Sequence, residues 1–282
     1  MRDDIDVSIV ICTRNRSTAL HRTLLALAAM TVPATVRHEV IVVDNASSDD
    51  TKAVIDAAGI MLPVRYLHES RPGLGRARNV GLAQATGQLI FMTDDDCIVD
   101  PDWLETGLRL IAGNPRQIIG GRVGLHDPRD LPITIKTEDT AVSLISVGPL
   151  FGFLHGCNMI FGRSVADVIG PFDPLLGAGT RCRGAEDTDF VYRAFKAGVA
   201  VRYCPNLRIA HDHGRRDPAD GQRLEQGYRI SMGALTLKHL LRGRLDLVKL
   251  LYWRMRSAYR RGDRVRASDY AAGALAYLRS AA

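Results

Sequence analysis

The 282-residue chain lacks the features that mark several large classes of protein. Its five cysteines are odd in number, scattered and free of any CxxC pair, a pattern that suits reduced thiols and argues against a disulfide framework or a cysteine-based zinc site. No apolar run reaches the roughly 18 residues that a membrane-spanning helix needs, and the acidic start of the chain does not resemble a signal peptide. We therefore expect a cytoplasmic protein without a transmembrane helix.

Common phosphate-binding motifs are missing as well. No GxGxxG sequence follows the first apolar run, so a dinucleotide cofactor is not expected, and the chain contains no Walker A sequence. Internal repeats and low-complexity linkers are also absent. With 46% apolar residues, the chain is expected to form one compact body with an appendage.

Positive charge is concentrated in the last part of the chain. Up to Asp220 there are 24 basic and 27 acidic residues, whereas from Gly221 onward 13 basic residues accompany only 4 acidic ones. The net charge of +6 therefore comes from the tail and does not mark the whole protein as a nucleic-acid binder. Nucleic acid is not an expected partner.

The basic tail has the periodicity of helices, and an apolar stripe runs along one of them. We expect this stripe to pack on the body and leave the basic face in solvent. The alternative is peripheral contact of the basic C-terminal helices with anionic lipid on the inner face of the membrane, aided by Tyr252 and Trp253. The stripe consists of Val248, Leu251, Tyr252, Met255 and Tyr259.

The first hundred residues alternate between strand and helix patterns. Short apolar runs at 7–12, 39–43, 64–67 and 89–92 predict buried strands, and helical spacing fills the segments between them, including a helix at about 51–58. This order predicts an α/β fold with a parallel sheet and right-handed crossovers. Ligands of such sheets bind beyond the carboxyl ends of the strands.

Polar clusters follow three of the predicted strands, at 13–16, 44–50 and 94–96, and are expected to meet at one rim of the sheet. The third cluster consists of three consecutive aspartates. Three adjacent carboxylates repel one another unless a cation neutralises them, so the triplet predicts a site for a hard divalent ion. A solvated acidic turn is the alternative if the triplet is taken alone.

The second half of the chain is less regular. Residues 126–153 form an excursion of the kind that often serves as a binding loop or lid, with a short helix at about 139–146. The other predicted elements are a helix at about 103–112 and strands at 120–125, 156–161 and 199–203.

Two further groups of residues are candidates for chemistry. Glu186, Asp187 and Asp189 open a predicted helix, where capping by the carboxylates and a general-base role for Asp187 are equally open interpretations. His211 and His213 follow an apolar pair, and an imidazole would complete a divalent site if that strand ended beside the acidic triplet.

Six segments occur in a characteristic order: VSIVICTRNR, VIVVDNASSDDT, PGLGRARNVGL, GQLIFMTDDDC with DPDWL, GCNMIFGRS with GPFDPLLGAGT, and GAEDTDFVYRAFKAG. Together they resemble a family 2 glycosyltransferase of the GT-A fold, over about residues 5–215. The resemblance implies an α/β fold with a Rossmann-like, mostly parallel central sheet flanked by helices. It places the GT-A domain at 1–215, with a nucleotide-sugar-binding half at 1–96 and an acceptor-binding half at 97–215, and a basic helical extension at 216–282.

The resemblance also implies a nucleotide site at the strand ends. Asp44 would accept a hydrogen bond from the nucleobase imide, Arg78 would meet the base or the rest of the nucleotide, and Asp94 would face the ribose or base. The expected nucleotide-binding residues are Thr13, Arg14, Asn15, Asp44, Arg78, Asp94 and Asp95.

A metal and catalytic centre is implied next to this site. Asp96 would bind Mn or Mg on the donor diphosphate, with His211 as a further ligand. Asp187 matches the family's general base, which deprotonates the acceptor hydroxyl, and Glu186 would orient the acceptor or the base. The expected acceptor-site or sugar-site residues are Trp103 and Asn158, although Trp103 would serve equally well as a helix-packing residue.

The implied reaction is metal-dependent transfer of one hexosyl or N-acetylhexosaminyl group, with inversion, from a nucleotide sugar to a hydroxyl acceptor. A UDP-sugar is the expected donor, and saccharides, lipid-linked saccharides and natural products stay open as acceptors. No QxxRW motif of processive synthases follows His213, so single-sugar transfer is expected. Two alternatives are a nucleotidyltransferase, whose usual phosphate loop is missing here, and a catalytically silent nucleotide-binding or scaffold protein.

Overall fold

The computed structural model describes residues 5–260, 262 and 266–281. Its first part alternates strands with helices, as predicted: β1 (Val7–Thr13), α1 (Ser17–Ala28), β2 (His38–Asp44), α2 (Thr51–Ala58), β3 (Val64–His68), α3 (Leu74–Gln84) and β4 (Leu89–Asp94). The middle part contains β5 (Cys97–Val99), α4 (Trp103–Ile111), β6 (Gln117–Leu125), β7 (Val142–Ser143), β8 (Asn158–Gly162), α5 (Arg163–Ile169), α6 (Glu186–Lys196) and β9 (Ala200–His211). Three helices follow: α7 (Pro218–Leu240), α8 (Asp246–Arg260) and α9 (Ala267–Ala281).

The described strands form one sheet in the order β3-β2-β1-β4-β8-β6-β9-β5, with β7 paired to β9. The first four are mutually parallel, β8 is antiparallel to both β4 and β6, and β9 is parallel to β6. The carboxyl end of β9 therefore lies at the same edge of the sheet as the carboxyl ends of β1 and β4. The predicted α/β class is confirmed.

Burial on both faces explains why the central strands are continuous apolar runs. Every residue of β1 is buried, and successive side chains point to opposite faces. Val10 contributes to the core cluster that includes Ala77 of α3, whereas Ile9 and Ile11 pack in the cluster that includes Leu24 of α1. Helices therefore cover both faces of the sheet at β1.

The predicted short helix at 139–146 is wrong, because β7 forms there and pairs antiparallel with β9. Leu144 continues this pairing by donating its backbone N–H to the carbonyl of Val201. An extended segment at this edge satisfies backbone groups of β9, and a helix would not. The strand predicted at 199–203 also continues much further, to His211.

The helices α7 and α9 approach each other closely at two glycines. A Cβ atom on Gly233 would overlap the backbone of Tyr270, and one on Gly273 would overlap the carbonyl oxygen of Ile230. Only glycine permits backbones to approach this closely. The same contact explains why these positions carry no larger residue despite the low helix propensity of glycine.

Buried ion pairs join α7 to the amino-terminal part of α6. Lys238 Nζ lies 2.7 Å from Asp189 Oδ1 and 2.8 Å from Asp173 Oδ2. Asp189 also pairs with Arg193 and with His239 Nε2, each at 2.8 Å. Asp189 is fully buried and occupied by these partners, so it has a structural role.

The expectation that the apolar stripe of α8 packs on the body is met only in part, because three of its five residues are exposed. Val248, Tyr252 and Tyr259 are 36%, 55% and 79% exposed, whereas Leu247 is buried and Leu250 packs partly against the core. Leu251 and Met255 of the stripe are half-buried, so the packed face of α8 overlaps only one side of the stripe. None of the helices in the described ranges combines the length and the apolar character that a membrane span requires.

We predict that Gly273→Ala destabilises the protein by about 1 to 3 kcal/mol, because the added methyl group would overlap the α7 backbone. The matched control is Gly227→Ala in α7, where a Cβ would meet nothing within 4 Å. That control should instead stabilise the protein by up to about 1 kcal/mol, the difference in helix propensity. Urea unfolding followed by circular dichroism measures both changes, and equal stability of the two variants would contradict the close contact.

Candidate active site

A cavity of about 680 Å³ lies at the edge of the sheet where β1, β4 and β9 end. It is lined by the last residue of each strand, namely Thr13, Asp94 and His211. The start of α6, the loop before β8 and part of α7 supply further walls. The predicted rim therefore holds a cavity of the size that small-molecule ligands occupy.

The acidic triplet is paired with cations supplied by other elements. Arg16 donates from Nη2 to Asp96 Oδ2 at 2.6 Å, and its Nε lies 3.5 Å from Asp95 Oδ1. Thr13 donates from Oγ1 to Asp95 Oδ2 at 2.7 Å, and His211 Nε2 lies 3.2 Å from Asp96 Oδ2. Asp95 and Asp96 are buried, so these contacts replace the water that an exposed turn would use.

The two buried aspartates have opposite pKa shifts. Burial raises the pKa of Asp95 to about 7, with Arg16 opposing the shift. Burial also acts to raise the pKa of Asp96, but the hydrogen bond and charge of His211, together with Arg16, hold it well below its usual value. Burial acts to lower the pKa of His211, yet its pairing with Asp96 raises it to about 9. Asp96 is therefore the carboxylate that is held ionised.

Ligand atoms of Asp96, Cys97 and His211 lie within 4.8 Å of one another, the one such group of three found among the described residues. Carboxylate oxygen and imidazole nitrogen suit Mn, and Asp96 alone suits Mg. Burial raises the pKa of the Cys97 thiol well above its usual value, so Cys97 is a poor thiolate donor. The residues present therefore fit a divalent ion bound by oxygen and nitrogen.

His211, and not His213, is the histidine beside the triplet. His213 Nε2 contacts the carbonyl of Leu131 at 3.1 Å, and its Nδ1 lies 3.6 Å from Asp130. The other ring nitrogen of His211, Nδ1, lies 2.9 Å from the hydroxyl of Thr134. A partner of this kind fixes the orientation of a ligating imidazole, leaving Nε2 directed at Asp96.

Arg78 is buried between two carboxylates of the cavity. It donates from Nη1 to Glu186 Oε1 at 2.8 Å and from Nη2 to Asp94 Oδ1 at 3.2 Å. A side chain at Gly156 would come within 2.7 Å of the guanidinium, so this glycine leaves the space that Arg78 fills. Burial raises the pKa of Glu186 to about 7, with Arg78 opposing the shift and Asp187 adding to it.

Asp187 lines the same cavity, in the first turn of α6. Its Oδ2 accepts a hydrogen bond from the backbone of Gly156 at 3.0 Å, and its Oδ1 accepts one from the backbone of Thr188 at 2.6 Å. These donors fix the carboxylate at the cavity wall. The hydrogen bond from Thr188 satisfies a backbone N–H of the first turn of α6, so Asp187 helps to cap this helix and also faces the cavity.

Five of the seven predicted nucleotide-binding residues line the cavity, and two do not. Thr13, Arg14, Arg78, Asp94 and Asp95 line the cavity.

Asp44 and Asn15 do not line the cavity. Asp44 is buried and accepts hydrogen bonds from the backbone of Ser47 and the hydroxyl of Tyr66. Asn15 is bound to the loop after β2, since its Oδ1 accepts from the backbone of Ser48 at 2.7 Å. Both side chains hold the loops that follow β1 and β2.

Trp103 and Asn158 also lie outside the cavity lining. Trp103 is fully buried and packs edge-on against Phe91, with ring centroids 5.2 Å apart. Its indole N–H donates to Asn158 Oδ1 at 3.0 Å, and the Asn158 amide donates to the carbonyls of Arg122 and Leu207. These contacts satisfy both side chains inside the core, which corrects the expectation of a sugar-site wall.

Several cavity residues were not singled out from the sequence. Arg16 belongs to the polar cluster at 13–16, and the available signal was its positive charge in a cluster expected at the same rim as the acidic triplet. Thr134 and Phe151 come from the irregular excursion, and Tyr228 from α7. Nothing local in their sequence distinguishes them, because long-range contacts bring them to the cavity.

Comparisons with known proteins identify the family. Residues 8–170 match the family model described as Glycosyl transferase family 2. The chain is 27% identical to Glycosyltransferase AglE of Haloferax volcanii, over 81% of this chain and 73% of that protein. It is 29% identical to Succinoglycan biosynthesis protein ExoM of Rhizobium meliloti, over 73% of this chain and 67% of that protein.

Solved structures are similar in fold. The mannosyltransferase PcManGT from Pyrobaculum calidifontis, in complex with GDP-Man and Mn2+, matches with a TM-score of 0.63 and 16% identity over 98% of this chain and 74% of that chain. S. aureus TarS 1-349 in complex with UDP matches with a TM-score of 0.59 and 19% identity over 84% and 71%. The chain has the GT-A fold and, with more than half of its length matched by the family model, it is a glycosyltransferase that belongs to glycosyl transferase family 2.

Proposed function

We propose that this protein is a metal-dependent, inverting glycosyltransferase that moves a single sugar from a UDP-sugar to a hydroxyl acceptor. The observation that carries the proposal is the arrangement of one cavity, in which Asp187 and the acidic triplet are both wall residues. The triplet is suited to the donor diphosphate, and Asp187 to the acceptor. Hexosyl and N-acetylhexosaminyl groups are the groups proposed to be transferred.

Asp187 is the proposed general base. Its carboxylate takes the proton of the acceptor hydroxyl as that oxygen forms a bond to the anomeric carbon, and the bond from that carbon to the diphosphate oxygen breaks on the opposite side. One displacement of this kind converts an α-linked donor into a β-glycoside. Glu186 precedes Asp187 in the chain and is held by Arg78, and its proposed role is to orient the acceptor or the base.

A divalent cation, Mn or Mg, would be held by Asp96 and His211. When bound, such an ion neutralises the charge that develops on the departing nucleoside diphosphate. The proposal is supported by the donor set described above and by the Mn2+ in the structure of PcManGT. Arg16 contributes a second positive charge from the protein itself.

The nucleoside end of the donor is proposed to lie against the end of β1. Thr13 and Arg14 line the cavity there, and Arg78 and Asp94 form the adjoining wall. UDP is favoured as the nucleotide by the TarS complexes with UDP and UDP-GlcNAc, although PcManGT carries GDP-Man. Asp44 and Asn15 would act from behind this wall by holding the two loops that frame it.

Saccharides, lipid-linked saccharides and natural products are all compatible with the proposed acceptor hydroxyl. Peripheral contact of the basic C-terminal helices with a membrane is part of the proposal, because their basic and apolar side chains are exposed.

Asp187→Asn is expected to lower sugar transfer by at least about a hundredfold, because the amide cannot accept the hydroxyl proton. The affinity for UDP should not change, since Asp187 is proposed to act on the acceptor. UDP release in the presence of an acceptor that the unmodified protein uses measures the first quantity, and calorimetry the second. Asp167→Asn, an exposed carboxylate on α5, is the control. Unimpaired sugar transfer by the Asp187→Asn variant would show that Asp187 is not the general base.

Mn is expected to strengthen UDP binding by the metal-free protein, and Asp96→Asn to reduce that gain by at least about tenfold. The reason is that Asp96 supplies the carboxylate that is held ionised next to His211. Calorimetric titration of UDP with and without Mn gives both values. Asp56→Asn, an exposed partner of Lys52, should behave like the unmodified protein. Equal UDP affinity with and without Mn would contradict the metal dependence.

A further inference from the structure

Large apolar side chains are exposed along one side of α8 and the turn before it. Leu245, Val248, Tyr252 and Tyr259 follow one another at helical spacing and are 57%, 36%, 55% and 79% exposed, and the neighbouring Trp253 is 57% exposed. We call these five residues the α8 face. Scattered exposed apolar residues are ordinary on protein surfaces, but a contiguous stripe with two tyrosines and a tryptophan marks an interaction surface.

Positive charge surrounds the α8 face. Residues 240–260 contain six lysines and arginines and a single acidic residue, Asp246. Asp246 is already engaged, since it lies 3.0 Å from Lys196 and accepts a hydrogen bond from Tyr192. Arg256 lies over the ring of Trp253, 5.1 Å from its centroid. The segment therefore presents aromatic rings and cations together.

This combination selects the partner. Tyrosine and tryptophan favour the boundary between water and lipid, and lysines and arginines are attracted to anionic headgroups. A second copy of the chain, bound through the same face, would bring two sets of six positive charges together and be repelled. An anionic bilayer offers both an apolar layer and negative charge.

The α8 face is connected to the cavity by Arg254. This residue of α8 lines the cavity, and its guanidinium lies 5.3 Å from the ring centroid of Phe151, another lining residue. Three apolar side chains also line the cavity, namely Leu154, Leu224 and Met232. The helix that carries the α8 face is thus itself a wall of the cavity in which Asp187 lies.

We propose that the α8 face docks on an anionic phospholipid bilayer, so that the cavity receives an acceptor held in that bilayer by a lipid anchor. Docking sets the distance between the cavity and the headgroups, and it confines enzyme and acceptor to one surface. The acceptor part of this inference rests on the proposed glycosyl transfer. The docking part names the surface that makes the proposed peripheral membrane contact and does not depend on that transfer.

Trp253 provides a direct readout of docking. The chain has two tryptophans, and Trp103 is fully buried, so a lipid that carries bromine on its acyl chains can quench only Trp253. Vesicles of brominated phosphatidylcholine with phosphatidylglycerol should quench the fluorescence, and vesicles of brominated phosphatidylcholine alone should not. Quenching should disappear in Trp253→Phe. Absence of quenching by the anionic vesicles, or equal quenching by both kinds, would overturn the proposal.

Vesicle flotation tests the two components of the surface separately. Tyr252→Ser with Tyr259→Ser, and separately Lys249→Glu with Arg256→Glu, should each weaken binding to vesicles containing phosphatidylglycerol by at least about tenfold. The matched control is Ile60→Ser with Met61→Ser, which removes two exposed apolar residues from the turn after α2 and should change nothing. Loss of binding in the control as well, or in none of the variants, would contradict docking through the α8 face.

Two measurements keep this inference separable from the proposed function. UDP titration in the presence of Mn, without vesicles, should give the same affinity for the α8 variants as for the unmodified protein. If UDP does not bind but vesicles do, the proposed function fails and docking stands. Sedimentation without lipid should show no self-association that the tyrosine substitutions remove, and such self-association would assign the face to a second copy of the chain instead.

Discussion

Negative charge crowded at the carboxyl end of β4 is the constraint on which the rest of the site depends. Asp94, Asp95, Asp96 and Glu186 are the cavity carboxylates that pair with cations, and these cations are Arg16, Arg78 and His211. Each cation comes from a different element, so the charge balance ties the loop after β1, α3 and β9 to β4. Removing one partner would leave a buried charge uncompensated, which is costly. The same balance leaves Asp96 ionised and suited to a divalent ion.

The carboxyl-terminal helices complete the cavity from the other side. Asp189 lies in the same helix as the proposed base and is held by Lys238 and His239 of α7, so the position of α6 depends on α7. The close contact of α7 with α9 at Gly273 in turn braces α7. The basic tail is therefore structurally continuous with the site. The distribution of charge along the sequence had indicated only an appendage.

The parallel order of the first strands could be predicted because each is a short apolar run buried on both faces, and α2 has the bounds that its periodicity predicts. The resemblance to one family also predicted that Asp94, Asp187 and His211 would converge on one site. Local sequence could not reveal that Trp103 and Asn158 satisfy each other in the core, since their partners are distant in the chain. Periodicity likewise located the apolar stripe of α8 without revealing whether anything covers it.

Asp187 is proposed to direct a single displacement in the cavity that it shares with the acidic end of β4. The most direct test is the configuration of the newly formed linkage, determined from the coupling of the anomeric proton in the NMR spectrum of the product made from an α-linked UDP-sugar. A β-glycoside is the predicted product. An α-glycoside would contradict the single displacement and the role given to Asp187.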